Sequence, residues 1–458
     1  MLAIGLGLRR SSSDAAGYYL GGKTLGPWVA ALAANASSSS AWSLIGVSGF
    51  AYRFGFQALW LLPGCIGGFA LNWLLVAPAV RRQTGAAVTM TELLAGPAGR
   101  PGRRAFVVFV SLLTLASLLT YVSAQMQAAG GTFAHSFSTE DAKFPLWLGI
   151  VIGGALVILY TLLGGYLAAS LTDTVQGLLM AGVAVLLPLA GLIHVGGLGP
   201  LLEAVEQVGP DYASPFGTRE GMVAIGFAFG LIGIGLGYPG QPHAINKYMG
   251  MAPNASMTTA RIVGISWAVV LYVGMLLVGW VVRTQWPLGA GAHEDALFAA
   301  SQNLLPPIID GIVVAAVLAA TMSTVDGQML VCASSVSHDL AWGPRGRHEQ
   351  LSTARWTMLG VGAGAVIAAL IVQKDIFDNV MFAWAALGSA LGPLVLVHVL
   401  RGPVAPRWAL LAAVVGSGGA ITTFYFPIYA PGFGDRVLAW GAAMLIALYG
   451  SQRRRRGG

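Results

Sequence analysis

The sequence predicts an all-α, polytopic membrane protein, and three observations carry that prediction. Charged residues make up 9% of the 458 residues and hydrophobic ones 56%, against roughly 25% charge in soluble globular domains. Apolar runs of about 20 residues, long enough to cross a hydrocarbon core as a helix, recur along the whole chain. Two of the runs carry clusters of glycine, proline and small hydroxyl residues, the composition of helices interrupted in mid-membrane. The two cysteines, Cys65 and Cys332, both lie in apolar runs, which leaves neither a disulfide framework nor a metal-ligand cluster to read. A formal charge of +7 would suggest nucleic acid in a soluble chain. Here the basic residues fall in short loops between apolar runs, where they set orientation, and no nucleic acid is implied.

Met1 to Leu8 is apolar and runs into Arg9-Arg10. Eight residues rising 1.5 Å each cannot cross a core of about 30 Å, so this stub (1–8) reads as the tail of a preceding helix. The first full span is Pro27 to Phe50, with the small, polar run Ala33-Ala-Asn-Ala-Ser-Ser-Ser-Ser40 at its middle. Phe56 to Val80, Ala105 to Gly130, Pro145 to Leu163 and Leu171 to Val195 follow as apolar runs, the fifth holding Asp173. The sixth, Met222 to Pro242, contains Gly233-Ile-Gly-Leu-Gly-Tyr-Pro-Gly-Gln-Pro242, whose glycines and prolines loosen the helical ladder. Ile262 to Val282 is followed by Ile308 to Ser334, which carries Ala319-Ala-Thr-Met-Ser-Thr-Val-Asp-Gly-Gln328. Thr357 to Val372, Val380 to Leu400, Trp408 to Phe426 and Val437 to Tyr449 bring the count to twelve.

An even count puts both ends on one side. Nineteen of the 25 basic residues, Lys247 among them, then fall on that side, which the positive-inside rule makes cytoplasmic, as in a multi-pass protein of the inner (plasma) membrane. The longest loops, Gly196 to Gly221 and Gln285 to Pro307, lie outside and have room for short helices or a lid.

The interruptions in the first and sixth spans stand five spans apart, the spacing expected of two inverted repeats with a binding site at the midplane. Ala316, Ala320, Ser323, Thr324 and Gly327 recur at helical spacing and share one face of the eighth span. Adjacent hydroxyls, with backbone carbonyls of an unwound partner helix, can ligate a hard cation without a charged residue; the alternative is that the hydroxyls bond back to the preceding turn. Asp173 and Asp326 each sit in an apolar run. A carboxylate near the bilayer centre costs roughly 2.5 to 3.5 kcal/mol on insertion scales, so each needs a cation, a proton or a polar cavity.

Five motifs in order now resemble one family: Tyr19-Leu-Gly-Gly-Lys-Thr-Leu-Gly-Pro27, Ser40-Ala-Trp-Ser43, Leu159-Tyr-Thr-Leu-Leu-Gly-Gly-Tyr-Leu-Ala168 with Thr172-Asp-Thr174, Gly237-Tyr-Pro-Gly-Gln-Pro-His243, and Ala319-Ala-Thr-Met-Ser-Thr324 with Gln328. From about Tyr19 to Val397 the chain is similar to the sodium/solute symporter family, in particular its sodium/proline branch. The resemblance implies a five-plus-five inverted-repeat fold of the leucine-transporter type, with repeats at 27–195 and 222–400 and two further helices at 408–449. It implies sodium held by the carbonyls of Ala36, Ser39 and Ala320 and the hydroxyls of Ser323 and Thr324. It places Asp173 at a second sodium site found in some members, where a family hydroxyl position is occupied here by Asp326. Two acids there would share either a second sodium or a proton.

By the same resemblance, Tyr238 and Pro242 border the solute, Tyr121 and Gln125 face it, and Trp384 lies on the tenth span. Two positions depart from the proline branch: Ser38 stands where it has an acid, and Ile234 where it has a tryptophan. Both departures count against proline itself. The expected function is sodium-coupled symport of a small organic solute, an amino acid or related carboxylate, across a lipid bilayer by alternating access, and not catalysis. A proton-coupled transporter or a membrane sensor module on the same fold are the alternatives, and His243 is expected just past the sixth span as a loop or gate contact.

Overall fold

The computed structural model describes residues 20–85, 87–138, 142–163, 166–341, 347–372 and 375–456; the stub at Met1 to Leu8 lies outside the described residues. The described chain is helical almost throughout. The first half-span, α1 (Pro27–Ser38), starts behind Gly26 with Pro27 in its first turn, where a proline's missing N–H costs nothing. It ends where Ser39 leaves helical geometry (φ −122°, ψ 83°). The chain resumes through a wide turn, Trp42–Gly46, into α2 (Val47–Phe54). Gly55 (φ +59°) then redirects it into a second run, α3 (Leu61–Leu71) and α4 (Ala77–Gln83). An L-residue would be strained at that φ, and a β-carbon there would lie 2.1 Å from the Tyr212 carbonyl oxygen.

The remaining long elements are α5 (Arg103–Phe137), α6 (Leu146–Leu163), α7 (Tyr166–Val195), α8 (Gly221–Ile232), α9 (Pro242–Met249), α10 (Met257–Gln285), α11 (Pro307–Ser334), α12 (Arg347–Ile371), α13 (Ile376–Arg401), α14 (Pro406–Tyr425) and α15 (Ala439–Arg456). Among the described residues nine helical runs are long and apolar enough to cross a membrane, against twelve expected spans. The difference has local causes. The first span is divided after Ser38, and its second half continues through Gly55 into the second span as one helical run, 42–83. α6 holds no charged residue from Leu146 to Leu163, and of it the stretch Leu146–Leu159 counts as a shorter apolar helix; α15 spends its last turn on arginines. Each expected span nevertheless has a helical counterpart.

Four elements form the centre: α1 and α7 pack on each other and on both α10 and α11, while α5 packs against α6, α11, α12 and α13. The sixth span departs from expectation. It breaks at Gly233 and again at Gln241, but instead of ending at Pro242 the chain restarts there and stays helical to Met249. His243 and Lys247, expected in a loop, are therefore buried, each 1% exposed. A parallel backbone clip between Leu25 and Met251 (Leu25 N–H to the Gly250 carbonyl, 3.2 Å; Ala252 N–H to the Leu25 carbonyl, 2.9 Å) joins the start of α1 to the end of α9. The opening half of one broken span thus lies beside the closing half of the other, running the opposite way, as inversion of two repeats requires.

The loops expected outside do carry short helices, Leu198–Val208 and Ala296–Leu304. At the end of the bundle opposite the Leu25 clip, a single turn, Ala292–Asp295, sits over the broken first span. Glu294 accepts the Phe377 N–H (3.2 Å), and His293 lies 3.6 Å from Asp375. Phe377 stacks on Phe50 (5.1 Å between ring centroids) beside a cavity of about 220 Å³ lined by Arg53, Arg219, Glu294 and Asp375. Burial pushes the Glu294 carboxyl from an ordinary 4.5 up to about 7, against the pull of backbone donors from Phe377 and Ile376. Between those two values the folded chain holds a proton that the unfolded chain has released, so stability falls as pH rises through that window. The apparent melting temperature of the purified protein should decline from about pH 4.5 to about pH 7, and Glu294→Gln should remove that component; an identical slope in the variant would refute the assignment.

Candidate functional site

Interrupting a helix inside lipid frees backbone groups that must find partners within the protein. At the first break the Ala41 N–H is taken by Gln125 Oε1 from α5 (3.1 Å), and Tyr121 Oη, one turn earlier on α5, donates to Ser40 Oγ (3.3 Å). On the other side of the break, Ser323 Oγ of α11 lies 3.2 Å from the Ala36 carbonyl and 3.1 Å from the Ala320 carbonyl. One hydroxyl proton cannot serve both oxygens at once. Ser39 Oγ and Thr324 Oγ1 are buried with no hydrogen-bond partner among the described residues.

Of the five positions expected to hold sodium, Ala36, Ala320 and Ser323 meet where α1 contacts α11, with Thr324 next to Ser323 and the Ser39 N–H on the Ala36 carbonyl (3.2 Å). Gly327 keeps that contact close: a β-carbon there would stand 2.4 Å from Ser37 Oγ. A cluster of carbonyl and hydroxyl oxygens in which two hydroxyls have no protein partner among the described residues suits a hard cation. Ser38 is the last helical residue of α1 and is buried beside the same break.

The second break is satisfied in the same way. Arg436 donates to the Gly230 carbonyl (3.1 Å), Trp384 Nε1 to that of Ile234 (3.1 Å), Trp440 Nε1 to that of Leu236 (3.0 Å), Gln241 to that of Gly237 (3.2 Å) and Asn72 to that of Tyr238 (3.2 Å). Trp384 and Ile234, both expected at the solute, therefore also brace the unwound backbone through this bond. Pro242 opens α9 directly after the break.

Between the two breaks lies an aromatic chamber. The Tyr238 ring meets Trp384 edge-on (4.6 Å, 76°) and Phe69 (4.6 Å), and the Tyr121 ring stands 6.4 Å from the His243 imidazole. The hydroxyls of Tyr238 and Tyr272 share a hydrogen bond (2.9 Å), and Tyr272 reaches Ser43 Oγ (3.5 Å). Trp42 then links Tyr272 (6.0 Å) to Phe377 (5.7 Å), so rings fill the route from this chamber to the loop-covered end. Tyr121, Gln125, Tyr238 and Trp384 have no solvent exposure.

The two acids have separate partners. Asp173 Oδ2 receives the Lys247 ammonium at 2.7 Å, with the pair 0% and 1% exposed, whereas Asp326 Oδ1 accepts from Thr161 Oγ1 of α6 at 2.5 Å. Beside Asp173, where a second sodium or a proton shared with Asp326 was expected, the structure places an ammonium from α9. Removing one partner of such a buried pair costs about 3–5 kcal/mol. Sequence reasoning missed Lys247 because the sixth span was ended at Pro242. It also missed Tyr272, the hydroxyl that joins the two broken spans, since a tyrosine in an apolar run gives no local signal. A hydrophilic residue four or five positions past a buried Pro-His pair was the available clue to Lys247.

The chain resembles known proteins over most of its length. The model of the sodium:solute symporter family matches residues 18–416. The osmoregulated proline transporter OpuE of Bacillus subtilis is 34% identical over 434 residues, 91% of this chain and 85% of the relative. The sodium/proline symporter of Escherichia coli is 33% identical over 431 residues, 91% and 84% of the two chains. Among solved structures, a Na+-coupled sialic acid symporter in a substrate-bound outward-open state superimposes with a TM-score of 0.80 at 16% identity, covering 99% of this chain and 95% of that one. The nucleobase-cation-symport-1 transporter Mhp1, in a closed conformation, gives 0.62 at 14% identity, covering 95% and 94%. The broken helices and inverted packing are thus those of a known transporter fold, and the chain belongs to the sodium:solute symporter family.

Proposed function

We propose that this symporter couples sodium at the carbonyls of Ala36, Ser39 and Ala320 and the hydroxyls of Ser323 and Thr324 to inward movement of an amino acid or related carboxylate. The solute chamber of this reading is bordered by Ser38, Tyr121, Gln125, Ile234, Tyr238, Pro242 and Trp384, with Tyr272 joining them. The observation that carries it is the cluster of oxygens at the contact of α1 and α11, where Thr324 Oγ1 and Ser39 Oγ are buried without partners among the described residues. Sodium there bridges an element of each repeat, 27–195 and 222–400, with 408–449 as flanking helices. Its binding favours the outward-open state, in which ions and solute load; joint occupancy permits closure and release inward.

Relatives named as proline transporters make L-proline the first solute to test. Ser38 and Ile234 are the positions at which a different small carboxylate would be selected. Purified protein in proteoliposomes should accumulate L-proline, or another small amino acid, under an inward sodium gradient. Uptake driven by a pH gradient without sodium would overturn the coupling.

Ser323→Ala and Thr324→Ala should each raise the half-saturating sodium concentration about tenfold, equivalent to about 1.4 kcal/mol, read as sodium-dependent thermal stabilisation without solute. Unchanged sodium dependence in both would remove the site from α11. Tyr272→Phe should weaken solute binding several-fold and leave sodium stabilisation intact; a matched loss of both would make Tyr272 structural.

In this reading both ends of the chain are cytoplasmic. Cys65 and Cys332 are buried, so added thiols report cleanly. Gln83→Cys should react with an impermeant maleimide only after permeabilisation and Glu206→Cys in intact cells; the reverse pattern would invert the topology.

A further inference from the structure

One face of α7 presents a run of oxygen atoms to α9. Ser170, Asp173 and Gln176 follow at helical spacing, and Gly177, next along, lies against the Ala36 side chain (3.2 Å from an added β-carbon). Asp173 is therefore one helical turn, about 6 Å along the axis, from the element that carries the sodium cage. Lys247 reaches into this face from α9. Its ammonium is 2.7 Å from Asp173 Oδ2 and 3.1 Å from Ser170 Oγ, and it stands 5.0 Å above the Tyr166 ring, whose hydroxyl donates to the Asn246 carbonyl (2.8 Å).

Two further oxygens on this face, Asp173 Oδ1 and Gln176 Oε1, are buried with no hydrogen-bond partner among the described residues. Acceptors outnumber the donors that meet them. Such a pocket demands a cation, because a carboxylate buried in lipid is retained only against positive charge or a polar cavity. An ammonium on a flexible stem meets that demand from within the chain.

We propose that Lys247 is a tethered counter-cation that occupies, beside Asp173, the place a second sodium ion would take, so that this chain binds one sodium ion. The proposal rests on the sodium-coupled reading above and adds its ion count. Because Lys247 belongs to α9 and Asp173 to α7, the counter-cation also moves with the second repeat, whereas a free ion would leave with the solute. A purely structural tie between the helices would hold them equally well and leave the sodium count unaffected by loss of the charge.

The test is a direct count of bound 22Na+ on the purified full-length protein in lipid nanodiscs, which needs no solute. Wild type and Lys247→Arg should bind one sodium per chain. Lys247→Met, which keeps the stem and removes the charge, should bind two, with a steeper sodium titration, and the double variant Asp173→Asn/Lys247→Met should return to one. Two sodium ions on wild type, or one on a folded Lys247→Met, would overturn the proposal. Should Lys247→Met fail to fold, Ser170→Asp adds a carboxylate beside the intact lysine and should recruit the second sodium; a count of one there would overturn it equally. A wild type that binds no sodium defeats the coupling reading itself and the inference with it, an outcome distinct from a wrong count.

Discussion

Everything in this protein follows from the need to satisfy backbone groups where its first and sixth spans stop being helical. Each unsatisfied N–H or C=O in hydrocarbon costs several kcal/mol, so a break survives only where neighbouring helices supply partners. Gln125 and Ser323 do this at the first break, and Asn72, Gln241, Trp384, Arg436 and Trp440 do it at the second. The polar side chains so placed in the membrane are the ones from which a binding site is made. Stability and site are one set of contacts here.

That economy explains why the proposed ion cage and the proposed solute chamber are adjacent. The Ser39–Ser40 break supplies freed groups to both: the Ala36 carbonyl turns toward Ser323, and Ser40 meets Tyr121. A cation bound between α11 and α1, as proposed, would thereby also fix the backbone against which Tyr121 and Gln125 are arranged. Tyr272 extends the link to the sixth span through Tyr238. Each break is thus coupled to the other by direct contact, without a long relay.

Much of this was legible in the residues. The small, polar run ending at Ser40 and the Gly/Pro cluster before Pro242 marked both breaks, because those residue types carry little helical preference and can satisfy freed groups. The spacing of Ala320, Ser323 and Thr324 marked the face of α11 that meets α1 at Ala36. The reading failed at two kinds of place. Apolar-run counting ended the sixth span at Pro242, although a proline at a first helical turn starts a helix as readily as it ends one, and His243 and Lys247 went inside with it. Trp384, expected at the solute, also has a partner that its spacing did not announce, the Ile234 carbonyl, which accepts its indole N–H.

The sequence by itself determined the class, the interrupted helices, the family and the hydroxyl-bearing face of α11, since these depend on residue types at short, regular spacing within single helices. Tertiary structure alone decided the partners of the buried acids. Asp173 and Lys247 are 74 positions apart and meet across α7 and α9 at 2.7 Å, while Asp326 turns instead to Thr161, 165 positions away. No local pattern encodes such pairings. In a low-dielectric interior the charge that lies nearest governs what an acid can bind, and nearness there is set by helix packing.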